Sequence, residues 1–221
     1  MRWYYFYTPD YSEWHAHLQR ALGAHFALEP IRLPTLEIHD SHPGHHFTGS
    51  TKKLELVVDA VRSNLGARIV FSDVTWYFNE TRVDALASLL ETCGPMAFAQ
   101  NADSPDLNIG LFVLECTDDT LAMWSEALRR VRENANLHDQ RVVAELCVEP
   151  TLLPPHLVVA RWPHACDPYR ESFLALKIFT PCSEPKCVRD SFRRHAMARY
   201  GYTLPPDPIA AQYLYAPWPP A

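Results

Sequence analysis

The sequence predicts an α/β fold, a mixed and mostly parallel sheet with helices on both faces, and three observations lead to it. Strand-like apolar runs alternate along the chain with segments of helical period. The run beginning Ile69-Val-Phe71 is apolar and ends in an acidic turn at Asp73, the pattern of a strand covered on both sides in a parallel sheet. At 221 residues, 48% hydrophobic and 21% charged, the chain is long enough for one well-buried domain and short for two.

The elements follow in order. Residues 2–8 read as a strand rich in aromatic side chains, closed by Pro9-Asp10 before an amphipathic stretch from Tyr11 to Leu22. A second strand is expected around His25–Leu33, then a polar loop from Pro34 to Gly49 carrying His39, His42, His45 and His46. Ser50 or Thr51 caps a helix with apolar positions Leu54, Val57, Val58, Val61 and Leu65, ended by Gly66, and this helix delivers the chain into the Asp73 strand. Thr81 with Asp84 reads as a capping box for a helix carrying Val83, Leu86, Leu89 and Leu90. Strands are expected at Pro95–Ala99 and Asn108–Leu114. Thr117-Asp-Asp-Thr120 starts a helix with the stripe Leu121, Trp124, Leu128 and Val131, and its solvated face carries Arg129, Arg130, Arg132 and Glu133. His138–Leu146 is a short helix, and strands are expected at Leu157–Arg161 and Phe173–Phe179. Ser183 and Pro185 open a last helix with the basic stripe Lys186, Arg189, Arg193 and Arg194. Pro205, Pro206, Pro208, Pro217, Pro219 and Pro220 exclude regular helix at the end. The expected division is therefore a domain over 1–204 and an extended tail over 205–221, with Tyr213, Tyr215 and Trp218 against the body or a partner.

Composition excludes several classes. A net charge of −6 and a pI near 6.0 argue against a nucleic-acid partner, which requires a basic surface. No segment approaches the roughly 18 apolar residues of a membrane span, and Met1-Arg-Trp-Tyr-Tyr-Phe-Tyr7 lacks a cleavage signature, so a cytoplasmic location is expected. Cys93, Cys116, Cys147, Cys166, Cys182 and Cys187 form no C-x-x-C pair and read as reduced thiols; Cys182 and Cys187 with His164 lack the second ligand pair of a zinc site.

Ligands of such sheets bind beyond the carboxyl ends of the strands. Asp73 stands at one such end, Asn108-x-Gly110 opens a later apolar run and Asp139-Gln140 opens a helix; together they can line one crevice that fits a sugar-nucleotide. Each has a plainer reading, as turn, strand and helix cap respectively. Expelling a diphosphate requires a cation, whether Mg²⁺, Mn²⁺ or fixed Lys and Arg. Where a metal-binding pair would read Asp-x-Asp the chain reads Asp73-Val-Thr75, one carboxylate and one hydroxyl, which weakens affinity for Mn²⁺ or Mg²⁺. Lys52, Lys53, Arg68, His164, Lys177 and Lys186 are candidates for the missing charge.

From Tyr4 to Leu146 the order of motifs resembles the nucleotide-diphospho-sugar transferases of the GT-A fold. The carriers are Phe71-Ser-Asp-Val-Thr-Trp-Tyr-Phe78, Phe98-Ala-Gln-Asn101, Asn108-Ile-Gly-Leu-Phe112, Thr120-Leu-Ala-Met-Trp124 and Asp139-Gln140, with Thr75 the one departure in the first. The resemblance implies that Tyr7, Thr8 and Tyr11 border the base and ribose, and that Asp73 faces the ribose or a bridging cation. It implies further that Asn108 and Gly110 contact the donor sugar, Asp139 binds sugar hydroxyls and Gln140 lies near the anomeric carbon in a retaining reaction. Metal contacts would come from Asp73, Thr75 and the His164-Ala165 echo of a later signature. The expected function is glycosyl transfer from a UDP- or GDP-sugar to a glycan or small acceptor; the alternative is a catalytically silent GT-A domain that binds nucleotide or glycan or assists a partner enzyme.

Overall fold

The computed structural model describes residues 1–34, 45–101, 106–134, 137–161 and 172–178 and the single positions Arg193 and Ala198. The remaining histidines of the polar loop, His164, the last helix apart from those two positions and the Pro-rich tail lie outside them.

Among the described residues nine strands form one sheet: β1 (Arg2–Tyr7), β2 (Ala27–Arg32), β3 (Arg68–Ser72), β4 (Tyr77–Phe78), β5 (Met96–Asn101), β6 (Leu107–Glu115), β7 (Thr151–Leu152), β8 (Val158–Arg161) and β9 (Ala175–Ile178). Their order is β2-β1-β3-β6-β5-β8-β9-β4, with β7 also on β5. β1 pairs in parallel with both β2 and β3, and β5, β7, β8 and β9 also pair in parallel. β6 runs antiparallel to β3 and β5, and β4 to β9. The sheet is thus mixed and mostly parallel. Pro30 is accommodated because β2 is the edge strand.

The helices α1 (Ser12–Leu22), α2 (His45–Ser63), α3 (Val83–Thr92), α4 (Asp118–Glu133) and α5 (Asp139–Leu146) cover the two faces. Strand alternation divides the core. Trp3, Tyr5, Val70, Leu111 and Val113 join the cluster under α1 and α3, while Tyr4, Ile69, Phe71, Phe112 and Leu114 join that under α2, α4 and α5. The chain leaves β1 for β2 on one side and returns through α2 to β3 on the other, which makes the carboxyl ends of β1 and β3 the point where the winding reverses. Adjacent strands there leave a crevice, because their connections depart in opposite directions.

Local chemistry departs from expectation in four places. Helix α2 starts at His45, so Ser50 and Thr51 lie within it and cap nothing; Leu65 lies past its end and is half exposed. Gly66, at φ +81°, makes the turn into β3 and donates to the Cys116 carbonyl at 2.8 Å. Before α3, the side chain of Asn79 caps a 3-10 turn over Glu80–Arg82 by accepting from the Thr81 N–H, and Asp84 faces His25 instead of closing a capping box. The expected strand 108–114 carries a bulge: opposite the single step Phe98 to Ala99, the partner on β6 jumps from Phe112 to Asn108. α4 begins as expected, with Thr117 accepting from the Thr120 N–H.

Candidate active site

The first carrier of the site is the end of β3. Ser72 is fully buried and accepts a hydrogen bond from the Trp3 indole at 2.9 Å, which locks β3 to β1 one residue before the chain leaves the sheet. The next backbone N–H, that of Asp73, donates to the Gly110 carbonyl at 2.7 Å. Gly110 lies in the β6 bulge, whose shape is held by Asn108: its Oδ1 accepts from the Gly110 N–H at 2.7 Å and its Nδ2 donates to Asn101 Oδ1 at 2.6 Å. The Asp73–Gly110 bond continues the β3–β6 register one step past Ser72 opposite Leu111, while the bulge takes residues 109–111 out of the pairing with β5. A Cβ at 110 would stand 2.6 Å from Asn108 Oδ1, 2.7 Å from Lys177 Nζ and 2.9 Å from Asp73 Oδ2, so a side chain there would displace these side-chain ends.

Two lysines meet the carboxylate. Lys53 of α2 donates to Asp73 Oδ1 at 2.8 Å and Lys177 of β9 donates to Asp73 Oδ2. Helical phase decides which of the two neighbouring lysines reaches it. Lys53 shares a face with the buried Val57 and Val61, four and eight residues on, whereas Lys52 turns outward to Glu55 at 2.9 Å. Lys177 is the one charged residue in a strand whose other side chains are buried, lies 5.9 Å from the Trp76 ring centre and thus finds its only compensation at Asp73 among the bonds described. The side chains of Lys53 and Lys177 are 9% and 15% exposed and that of Asp73 is 26% exposed, so the cluster is buried on its lysine side and open at the carboxylate.

The electrostatics follow from this packing. Burial pushes the Asp73 carboxyl upward, but the adjacent charges and hydrogen bonds of Lys177 and Lys53 outweigh it and hold the group well below the usual carboxylate range. Burial lowers the Lys177 ammonium; Asp73 opposes that shift, while the positive charges of Lys53 and Arg193 add to it.

The turn from Asp73 to β4 is braced from beneath. His17 of α1, fully buried, accepts the Phe78 N–H at Nε2 (3.1 Å) and stacks on Tyr77 at 4.4 Å. With Nε2 accepting, its proton sits on Nδ1, 3.5 Å from Glu80 Oε1. Burial, aided by Arg20, depresses this imidazole to about 3, so it is neutral at physiological pH.

Across the crevice, at the end of β1, Tyr7 stacks on His15 with ring centres 4.0 Å apart. His15 Nδ1 lies 2.9 Å from the Tyr5 hydroxyl, whose pKa is raised by burial and then by Tyr7. Thr8 is buried, and its carbonyl receives the Tyr11 N–H at 2.8 Å.

The structure therefore brings together Lys53, Lys177, Asp73, Asn108 and Gly110, each of them a candidate in the sequence. Arg68 is a correction. It lies at the amino end of β3, where it donates to Glu115 and to the carbonyls of Leu90, Glu91 and Cys93, far along the strand from Asp73. Lys52 pairs with Glu55 at 2.9 Å, and among the bonds described none joins it to Asp73. Asp139 is buried and accepts from the Gln140 N–H at 2.9 Å, with His138 Nδ1 3.2 Å away; these bonds belong to the first turn of α5, which packs against α4, α2 and β6. Thr75 is buried in the turn after Asp73. As a metal site the donor set does not fit: both oxygens of the one carboxylate already receive ammonium protons, and position 75 offers a hydroxyl. Among the described residues, no group of three or more His, Cys, Asp and Glu side chains could hold a metal ion.

No protein-family model and no curated protein matches the chain. The fold is shared with solved glycosyltransferases. A glycosyltransferase involved in the glycosylation of the major capsid of PBCV-1 superposes with a TM-score of 0.62 at 12% identity, covering 88% of this chain and 98% of that one. The galactosyltransferase LgtC, solved with donor and acceptor sugar analogs, gives 0.53 at 10% identity and 98% coverage of both chains. The glycosyltransferase GlyE of Streptococcus pneumoniae TIGR4 gives 0.54 at 11% identity over 81% of this chain and 55% of its own. Among the described residues no helix is long and apolar enough to cross a membrane.

Proposed function

We propose that the protein is a glycosyltransferase that takes its sugar from a nucleotide-diphospho-sugar, bound in the crevice where β1 and β3 end. The single observation that carries this reading is the lysine-flanked Asp73, locked to the Asn108-Gly110 bulge at the winding reversal of a fold shared with glycosyltransferases. Sheets of this kind bind ligands at that position.

In the reaction, the bond from the anomeric carbon to the diphosphate oxygen breaks and its electron pair leaves on the diphosphate. A bond from the acceptor hydroxyl oxygen to the same carbon forms, and the hydroxyl proton passes to the departing oxygen, the course consistent with retention. The developing negative charge is the quantity the site must stabilise. Lys53 and Lys177 supply positive charge, Tyr7, Thr8 and Tyr11 border the nucleoside, and Asn108 and Gly110 meet the donor sugar. Asp139 and Gln140 approach the sugar from the first turn of α5.

The second reading, a catalytically silent domain of the same fold, is favoured by Thr75 and by the use of Asp139 within its own helix turn. Thermal-shift screening with UDP- and GDP-sugars, followed by assay of donor hydrolysis, separates the two, because a ligand of the native state alone raises the melting temperature. Binding with turnover supports the enzyme and binding without turnover the silent domain. No binding of any nucleotide at millimolar concentration rejects the enzyme and leaves a silent domain that binds glycan or assists a partner enzyme.

A further inference from the structure

We infer that Lys53 and Lys177, held side by side on the two oxygens of Asp73, are the cations that receive the donor diphosphate, so that this site works without a divalent metal. The inference rests on the proposed donor class and concerns how that donor is gripped.

The charge balance is the first argument. One carboxylate holding a divalent cation leaves a net charge of +1; Asp73 with two ammoniums leaves the same +1, in the same place at the end of β3. A metal ion entering would have to displace an ammonium from each carboxylate oxygen and then sit between two positive charges, in a pocket where the charges of Lys53 and Arg193 already act against that of Lys177.

Geometry is the second. Each ammonium has three N–H donors, and the bond to Asp73 uses one. The remaining donors are available to phosphate oxygens, and the partial exposure of the Asp73 carboxylate marks where the cluster opens. Asp73 in this arrangement is a positioning residue: it aims two lysines from elements 104 residues apart along the chain for its pairing with Lys177, and 20 for Lys53. Gly110 is the third element of the device, because any side chain there would enter the space of Lys177 and Asp73. The substitution of Asp-x-Asp by Asp73-Val-Thr75 then accompanies a change of cation and is compatible with a working site.

The test is calorimetric titration of the whole protein with UDP, GDP, UMP and GMP, in EDTA and in Mn²⁺, on the native sequence and on Lys53→Met and Lys177→Met. The expected result is a nucleoside diphosphate bound at least tenfold more tightly than its monophosphate in EDTA, an affinity changed less than twofold by Mn²⁺, and at least a tenfold loss of that diphosphate preference in either variant. Diphosphate binding that requires Mn²⁺ would leave the donor class standing and overturn the lysine grip, as would variants that keep the full preference. Absence of binding by the native protein with and without Mn²⁺ would overturn both. Should one variant fail to fold, the other still tests the lysine grip, and the EDTA comparison on the native protein still tests metal independence.

Discussion

Two buried titratable groups stand at opposite ends of the turn from β3 to β4, and they are built to opposite specifications. At its far end His17 is sealed, neutral and satisfied: Nε2 takes the Phe78 N–H and the ring lies on Tyr77. At its near end Asp73 is ionised, holds two cations and keeps an opening to solvent. A buried polar group that completes its bonding within the fold holds structure in place. One that leaves donors on its partners unspent, beside a crevice, is prepared for a ligand. The difference teaches that burial and a shifted pKa alone do not mark the site here; among the described residues the largest depression of an imidazole belongs to a brace.

Acid separates the two groups most strongly. His17 has a folded pKa of about 3 against an unperturbed value near 6.5, so the unfolded chain binds more protons between these values. Its contribution is complete above about pH 6.5 and is lost as pH falls toward 3, by roughly 3–5 kcal/mol in all. Asp73 also has a depressed folded pKa, and its contribution is present above the ordinary carboxylate range and lost only as pH falls through its lower folded value. Urea unfolding across pH 4–7 should therefore decline on account of His17, and His17→Gln, which can still accept the Phe78 N–H, should flatten that decline. A decline of unchanged steepness would place its source elsewhere.

Next in size is His17→Ala, expected to cost about 2–4 kcal/mol through the unpaired Phe78 N–H and the lost stacking on Tyr77. Diphosphate affinity of the folded variant should change less than twofold, measured by titration well below its melting temperature. Gly110→Ala should cost about 1–3 kcal/mol by crowding, and, unlike the histidine variant, should also weaken diphosphate binding. Smallest is Lys52→Ala: its partner Glu55 is reached on the surface, so the expected change is about 0.5 kcal/mol or less in chemical denaturation, with nucleotide affinity unaltered. An affinity loss there equal to that of Lys53→Met would erase the distinction drawn from helical phase.

The parts of the fold with strong local signals were legible in the sequence. The aromatic run marks β1 as a strand, period 3.6 in α1 and α4 places their buried faces, and the Thr117 cap is set by residues three apart. β4 and β7 were not, because each has two residues and exists only through a partner distant in the chain, β9 and β5 respectively. The start of α2 at His45 follows Pro43-Gly44 in the sequence, with no Ser, Thr, Asp or Asn directly before it to announce it. Within the site, Asp73, Asn108 and Gly110 stood out as motif residues, and Lys53 could be told from Lys52 only by the phase of α2 against Val57 and Val61. Lys177 carried a usable signal, a lone cation in the apolar run Phe173–Phe179, where an unpaired charge is too costly to bury. His17 carried none, since its partner Phe78 is 61 residues away and nothing near it in sequence distinguishes a brace from a ligand-binding imidazole.

The most direct measurement of the central claim is a crystal structure of the protein with UDP or GDP grown in the presence of Mn²⁺. The account predicts the diphosphate at the ends of β1 and β3, with phosphate oxygens about 2.7–3.2 Å from Lys53 Nζ and Lys177 Nζ and the Asp73 carboxylate still between the two ammoniums. A diphosphate bound elsewhere, or one bridged to Asp73 by Mn²⁺ with the lysines turned away, would contradict it.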